Sequence, residues 1–123
     1  MNYFFHPEAD AEFTGAIDYY EAREVGLGYD FALEVNSAIQ RIVAYPRSWP
    51  VLDGDVRRCQ TSRFPYGVLY AVEESQVLIV AVMHLRREPE YWRHRKGAAR
   101  RAGCARGASE TLLRRHARRT KTP

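Results

Sequence analysis

The spacing of hydrophobic residues changes along residues 1–95 from a helical period to a strand period. Over residues 7–21 and again over residues 29–45, apolar positions recur three and four apart, which predicts one apolar stripe on each of two helices. Residues 23–28, which include two glycines, separate these segments, and a proline follows the second. The pattern therefore predicts an antiparallel helical hairpin with one apolar face.

Shorter segments of β-type residues flank the hairpin. Residues 2–6 predict an N-terminal strand, and three further strands are predicted at 56–62, 66–73 and 76–84. Both alternating sets of the last segment are apolar, which predicts a central strand covered on both faces. The first of the three is polar on both sides, which fits an edge strand or the wall of a groove.

The segment between the hairpin and these three strands is predicted as loop at residues 46–50 and 53–55. The order of elements is then strand, helix, helix, strand, strand, strand. The predicted fold class is α+β. An N-terminal strand and a three-stranded antiparallel meander form one twisted sheet, and the antiparallel helical hairpin covers one face of it.

Charge divides the chain into two unequal parts. The 123 residues, 46% of them hydrophobic, suit one domain, and their net charge is +4. From Arg93 onward, 11 lysines and arginines oppose the single Glu110, so this end carries +10 and residues 1–92 carry −6. We predict a domain at residues 1–95 and a basic Arg/Ala/Gly-rich tail at 96–123, which is either flexible or a short marginal helix. Such a tail could fold back on the acidic domain, engage nucleic acid or stay solvated.

No segment points to a membrane, a metal or a cofactor. The longest apolar run, residues 77–85, is far too short to cross a bilayer, and the N-terminus lacks the features of a signal peptide, so the expected location is cytoplasmic. Cys59 and Cys104 have no metal-ligand spacing and no disulfide framework, and the four histidines show no ligand spacing either. We therefore expect no metal site, no cofactor and no membrane partner.

The end of the last predicted strand gathers chemically active side chains. His84, Arg86, Arg87 and Tyr91 are the candidate catalytic residues, because an imidazole, two cations and a phenol serve in acid-base chemistry and in stabilising phosphate charge. Structural roles are the alternatives, such as a histidine that anchors the following turn. A second set is predicted to contact nucleic acid, with a solvated edge or a covered core as the alternatives: Arg57, Arg58, Arg63, Trp92 and Arg95.

Short motifs occur in order along residues 1–95: His6-Pro7-Glu8-Ala9, Gly26-Leu27-Gly28, Pro46, Trp49-Pro50, Arg63-Phe64-Pro65-Tyr66 with Tyr70, and His84-x-x-Arg87-x-Pro89-x-Tyr91-Trp92-x-x-Arg95. Together with the order of elements, they resemble the RelE/ParE superfamily of type II toxin-antitoxin toxins, the plasmid stabilisation family. The resemblance implies a RelE-like fold and a small bacterial toxin that inhibits growth. It also implies a cognate antitoxin from the same operon, which wraps the toxin surface and would contact the second set of residues.

The superfamily divides by target. The RelE-like branch cleaves mRNA on the ribosome and carries two arginines whose matching positions here are Gly67 and Leu85. Tyr91 matches a tyrosine of that branch, and Arg86 or Arg87 could replace the second arginine. The ParE-like branch binds DNA gyrase and needs no such site, so the sequence slightly favours it. Ribosome-dependent mRNA cleavage and an inactive, degenerate toxin are the alternatives.

Overall fold

Two helices pack on one face of a five-stranded sheet. The computed structural model describes residues 1–87 and 91–95. Its elements, in chain order, are β1 (Tyr3–Phe5), α1 (Pro7–Arg23), α2 (Leu27–Ala44), β2 (Val51–Asp53), β3 (Val56–Gln60), β4 (Tyr66–Glu73), β5 (Gln76–His84) and a 3₁₀ turn (Arg93–Arg95). The predicted α+β class and helical hairpin are confirmed. Neither helix of the described part is long and apolar enough to cross a membrane.

α1 begins at Pro7, where the sequence predicts it. Nδ1 of His6 accepts a hydrogen bond from the backbone N–H of Glu8 at 3.1 Å and so caps the helix. Burial, and then the charge of Arg95, lower the pKa of His6, so its ring is neutral and can accept this bond at neutral pH. The helix therefore starts without a loop after β1, which ends at Phe5.

Glu21 fixes the joint between the two helices. Its carboxylate accepts hydrogen bonds from the N–H groups of Gly26 at 2.9 Å and Gly28 at 3.1 Å, at the start of α2. Gly26 has a φ of 89°, a left-handed conformation that glycine adopts without steric cost. The joint is therefore shorter than the predicted break at residues 23–28.

The strands lie in the order β1-β5-β4-β3-β2, with β1 parallel to β5 and the other pairs antiparallel. Glu74 and Ser75 join β4 to β5, and both residues have positive φ, 49° and 63°, as in a type I′ hairpin. β5 lies inside the sheet and is buried on both faces, as predicted. The sequence did not predict β2, whose three residues are too few to show a period. Because β2 pairs with β3, β3 is not the edge strand that its polarity suggested.

Apolar side chains cover both faces of the sheet. On one face the hairpin contributes Phe13 and Phe31 to a cluster with residues of β4 and β5. On the other face Trp92, only 1% exposed, packs in a second cluster with Leu69 and Val80. Trp92, which follows β5 in the chain, therefore supplies part of the core on this second face.

The thiol of Cys59 is buried in β3. Burial raises the pKa of this thiol, so little thiolate forms at neutral pH and nucleophilic chemistry is disfavoured. Cys104 and the predicted tail at 96–123 lie outside the residues that the structure describes.

Substituting Gly28 tests the close approach of the two helices. A Cβ built there lies 2.5 Å from the carbonyl oxygen of Ile17 and 2.9 Å from Cβ of Glu21. We expect Gly28→Ala to lower the free energy of unfolding by about 1–3 kcal/mol in urea titrations. Gly15→Ala is the control, because a Cβ there meets no atom within 4 Å; it should raise the same free energy by about 0.5–1 kcal/mol. Equal stability of Gly28→Ala and wild type would contradict the close contact.

Candidate functional site

A groove between α1 and the C-terminal end of β5 holds most of the candidate catalytic residues. Its volume is about 290 Å³. His84, Arg87 and Tyr91 share it, whereas Arg86 is not among the residues that line it. We call this site the α1–β5 groove, and the described residues that line it are Glu12, Gly15, Ala16, Tyr19, Tyr66, Val82, His84, Arg87 and Tyr91.

α1 forms one wall of the groove. Glu12, Gly15, Ala16 and Tyr19 follow each other at helical spacing, so they lie on one face of α1. Gly15 leaves this wall open at its centre, because a Cβ built there meets no atom within 4 Å. Tyr19 is 55% exposed, and its hydroxyl accepts a hydrogen bond from Arg23 at 2.6 Å. The wall therefore has an aromatic rim and an open centre.

His84 lies at the end of β5 with one ring nitrogen already engaged. Its Nδ1 accepts a hydrogen bond from the backbone N–H of Arg86 at 3.1 Å, and its carbonyl oxygen accepts one from the N–H of Arg87 at 3.0 Å. In the neutral ring the hydrogen is consequently on Nε2. The ring packs edge-to-face on Tyr66, with centroids 5.2 Å apart. His84 thus anchors the turn after β5 and keeps one N–H donor.

Tyr91 is held between two arginines and a carboxylate. Its hydroxyl donates to Oε2 of Glu12 at 2.6 Å. The guanidinium carbons of Arg87 and Arg95 lie 4.1 and 5.0 Å from its ring centroid. Burial, and then the hydrogen bond to Glu12, raise the pKa of Tyr91. At neutral pH Tyr91 is therefore a phenol that donates a hydrogen bond and not a phenolate that could remove a proton.

An ion pair between Glu12 and Arg95 lies beside Tyr91. Nη1 of Arg95 donates to Oε1 of Glu12 at 2.8 Å. The side chain of Arg95 is 5% exposed and that of Glu12 is 15% exposed. Nε of Arg95 also donates to Glu8 at 3.2 Å. A hydrogen bond with His94, and then the charge of Arg95, lower the pKa of Glu8. Arg95, predicted to contact a partner, is therefore buried among internal acceptors.

The same ion pair completes the hydrogen bonding of β5. β1 pairs with β5 only over Val77–Ile79, and a register shift between β4 and β5 leaves Val80 without a direct partner. The carbonyl oxygen of Val80 accepts a hydrogen bond from Arg95 at 3.1 Å, and the N–H of Val82 donates to Glu12 at 3.2 Å. Glu12 and Arg95 thus take the place of a neighbouring strand.

Two further arginines predicted to contact a partner bind within the molecule. Arg57 donates to the carbonyl oxygens of Arg47 at 3.2 Å and Trp49 at 2.7 Å. Arg63 pairs with Asp30 of α2 at 3.2 Å. Both lie away from the α1–β5 groove, whose lining does not include them.

The third of these arginines, Arg58, lies over Gly67. A Cβ built on Gly67 would be 2.9 Å from Cδ of Arg58 and 3.5 Å from a methyl group of Leu85. Gly67 and Leu85 are the positions that match the two arginines of the RelE-like branch, and here the stem of Arg58 occupies the space beside Gly67 that a side chain would need. Trp92, another predicted contact, is buried in the core.

The sequence did not identify Glu12, Gly15, Tyr19 or Tyr66 as groove residues. From the sequence alone, Glu12 is interpreted as a negative charge near a helix N-terminus and Tyr66 as the first residue of a strand. The helical spacing of the α1 residues was the available signal. It becomes informative only once the topology places this face of α1 beside β5.

No metal-binding group accompanies the groove. Within the described ranges, no three His, Cys, Asp or Glu side chains are grouped so that they could hold a metal ion. The two groove residues of ligating type are engaged, Glu12 by Arg95 and His84 by the N–H of Arg86.

The sequence matches, over residues 3–89, the family model described as ParE toxin of type II toxin-antitoxin system, parDE. The fold is similar to that of a chain in the solved structure titled Chromosomal ParDE TA system from P. aeruginosa. The TM-score is 0.53 and the sequence identity 14%, over 70% of this chain and 97% of that chain, so the likeness shows the fold alone. None of the curated proteins compared matches the sequence.

Alkaline titration tests the state of Tyr91. Because its pKa is raised above the unfolded value of about 10, the corresponding stability is present below that pH and is lost as the pH rises further. We expect Tyr91→Phe to remove one late-titrating tyrosine from the ultraviolet titration and to make the loss of stability above pH 10 shallower. Tyr70, whose pKa burial raises to about 12, should remain in both proteins. An unchanged titration would contradict the buried phenol.

A double-mutant cycle tests the ion pair. Glu12→Gln leaves the buried Arg95 with only the exposed carboxylate of Glu8 as a counter-charge, so we expect the free energy of unfolding to fall by about 3 kcal/mol. The double variant Glu12→Gln/Arg95→Met should lose less than the sum of the single losses, because no unpaired charge remains. Asp30→Asn is the control, since its exposed pair with Arg63 is worth about 0–1 kcal/mol. Additive losses would show that the pair is not coupled.

Proposed function

We propose that this chain, which belongs to the ParE toxin family of type II toxin-antitoxin systems, inhibits bacterial growth by binding a protein target and is neutralised by a cognate antitoxin. DNA gyrase is the proposed target, because the RelE/ParE resemblance gives it for the ParE-like branch. The antitoxin would be encoded in the same operon. The cytoplasm, where such a target is found, is the proposed location.

One observation supports binding over RNA cleavage: the arginines that could hold an RNA phosphate have internal partners. Arg57 binds two backbone carbonyl groups, Arg63 binds Asp30 and Arg95 binds Glu12. Cleavage of RNA requires cations that converge on the charge of the transition state. Among the described residues that line the α1–β5 groove, Arg87 is the one arginine, and the carboxylate of Glu12 lines the same groove.

The second candidate function is ribosome-dependent mRNA cleavage. It has support from the groove, which brings together His84, Arg87 and Tyr91, the residue types that acid-base cleavage of RNA requires. The raised pKa of Tyr91 and its bond to Glu12 make it a poor base, however, which weakens this candidate. An inactive toxin is the third alternative.

Induction of the full chain in a bacterial host separates the targets. We expect growth arrest, and we expect the purified chain to inhibit supercoiling of plasmid DNA by gyrase. Primer extension on ribosome-bound mRNA should show no new 5′ ends. New 5′ ends with normal supercoiling would reverse the assignment. A folded full chain that arrests no growth would support the inactive alternative.

The variant Tyr91→Phe separates gyrase inhibition from mRNA cleavage more clearly, because it keeps the ring beside Arg87 and loses only the hydroxyl. If Tyr91 were a catalytic acid or base, cleavage would fall by about 10²–10⁴-fold. Under the binding mechanism we expect gyrase inhibition to stay within about tenfold of wild type, since one hydrogen bond is worth about 0.5–1.5 kcal/mol. Urea unfolding of both proteins controls for a loss of folded protein.

A further inference from the structure

We propose that the α1–β5 groove binds an aspartate or glutamate side chain of the cognate antitoxin, with Arg87, His84 and Tyr66 as its hydrogen-bond donors. The inference rests on the proposed function, in which an antitoxin neutralises the toxin. It goes further in naming the site and the chemical group that the site takes.

The side chains of the groove that remain available are donors. The guanidinium of Arg87 lies on the ring of Tyr91 and has no carboxylate partner among the described residues. His84 has Nδ1 engaged by a backbone N–H, so its Nε2 is left as a donor. The hydroxyl of Tyr66 has no hydrogen-bond partner in the described part of the chain, and burial raises the pKa of Tyr66, so it keeps its hydrogen.

Among the described residues that line the groove, Glu12 is the one carboxylate, and it does not repel an anionic ligand as an unpaired charge would. Oε1 of Glu12 accepts hydrogen bonds from Val82 and Arg95, and Oε2 accepts them from Tyr91 and Arg95. Its charge is balanced by a guanidinium in direct contact, and both of its oxygens are occupied. The remaining polarity of the groove is therefore set by Arg87, His84 and Tyr66.

The groove has room for a side chain at the position of Gly15. A glycine within a helix lowers stability relative to alanine, although a Cβ at Gly15 would clash with nothing. The volume of about 290 Å³ lies at the lower limit for ligand pockets, which suits one side chain of a partner better than a stretch of nucleotides. The exposed ring of Tyr19 would pack on a residue next to the bound carboxylate.

Charge favours a carboxylate of a protein over the phosphates of RNA. RNA binding draws on many cations along the backbone, whereas residues 1–92 carry a net −6. A carboxylate needs only one guanidinium, which can bind it through two parallel hydrogen bonds. Stacking on Tyr91 holds the guanidinium of Arg87 in place for such a contact.

Binding of the full chain to the product of the neighbouring reading frame, measured by calorimetry, tests the inference. We expect Arg87→Gln and Gly15→Leu each to raise the Kd by about tenfold or more, the first by removing the cation and the second by filling the groove. Arg47→Gln is the matched control, because it removes the same charge from an exposed loop residue outside the groove. We expect its Kd to stay within about twofold of wild type. Urea unfolding confirms that each variant is folded.

The partner's carboxylates are then replaced singly with the corresponding amides. We expect one of these changes to raise the Kd about tenfold in wild type and to have little further effect in Arg87→Gln. A tight complex that neither Arg87→Gln nor Gly15→Leu weakens would overturn the groove inference and leave the proposed function intact. Unchanged binding together with loss of mRNA cleavage in these variants would assign the groove to RNA. Absence of any complex with the wild-type chain would overturn both proposals.

Discussion

The ion pair between Glu12 and Arg95 is the interaction on which the groove and the edge of β5 both depend. β1 must end at Phe5 because His6 and Pro7 begin α1 immediately, so β1 can pair with only the first part of β5. The backbone of β5 beyond that point still needs hydrogen-bond partners, since unpaired buried backbone groups are costly. A carboxylate from α1 and a guanidinium from the last turn supply them, and each neutralises the other as it does so.

This arrangement couples parts of the chain that are far apart in sequence. Trp92 is buried on the second face of the sheet, and the turn that begins at the next residue brings Arg95 to the edge of β5. Arg93 is paired with Asp53 of β2 at 2.8 Å, so the turn is also fastened at the opposite edge of the sheet. Tyr91 is carried into place by the same path. The position of the groove's aromatic wall is thus a consequence of core packing.

The sequence alone predicted an element where one spacing of apolar residues repeats over many positions. The two helices, the buried strand β5 and its turn all follow from such patterns, and the apolar stripe of α1 is the one that packs on the sheet. β2 was missed because its three residues include two exposed apolar side chains and no alternation. The roles of Glu12 and Arg95 were missed for a different reason. A charged residue in a sequence is taken to be solvated unless its partner is known, and Glu12 and Arg95 are 83 positions apart.

The same internal pairing explains how an acidic domain with several arginines can be a selective binder. Arginines paired with carboxylates of their own chain, such as Arg63 and Arg95, add little to a long-range positive potential, so they do not attract nucleic acid in general. What remains for recognition is a small number of fixed donors beside aromatic rings, in a groove with an open centre at Gly15. Under the proposed function, such a site would discriminate by shape and by the position of one negative charge. That is a mode of recognition suited to a single protein partner, because a misplaced charge leaves both groups desolvated and unpaired.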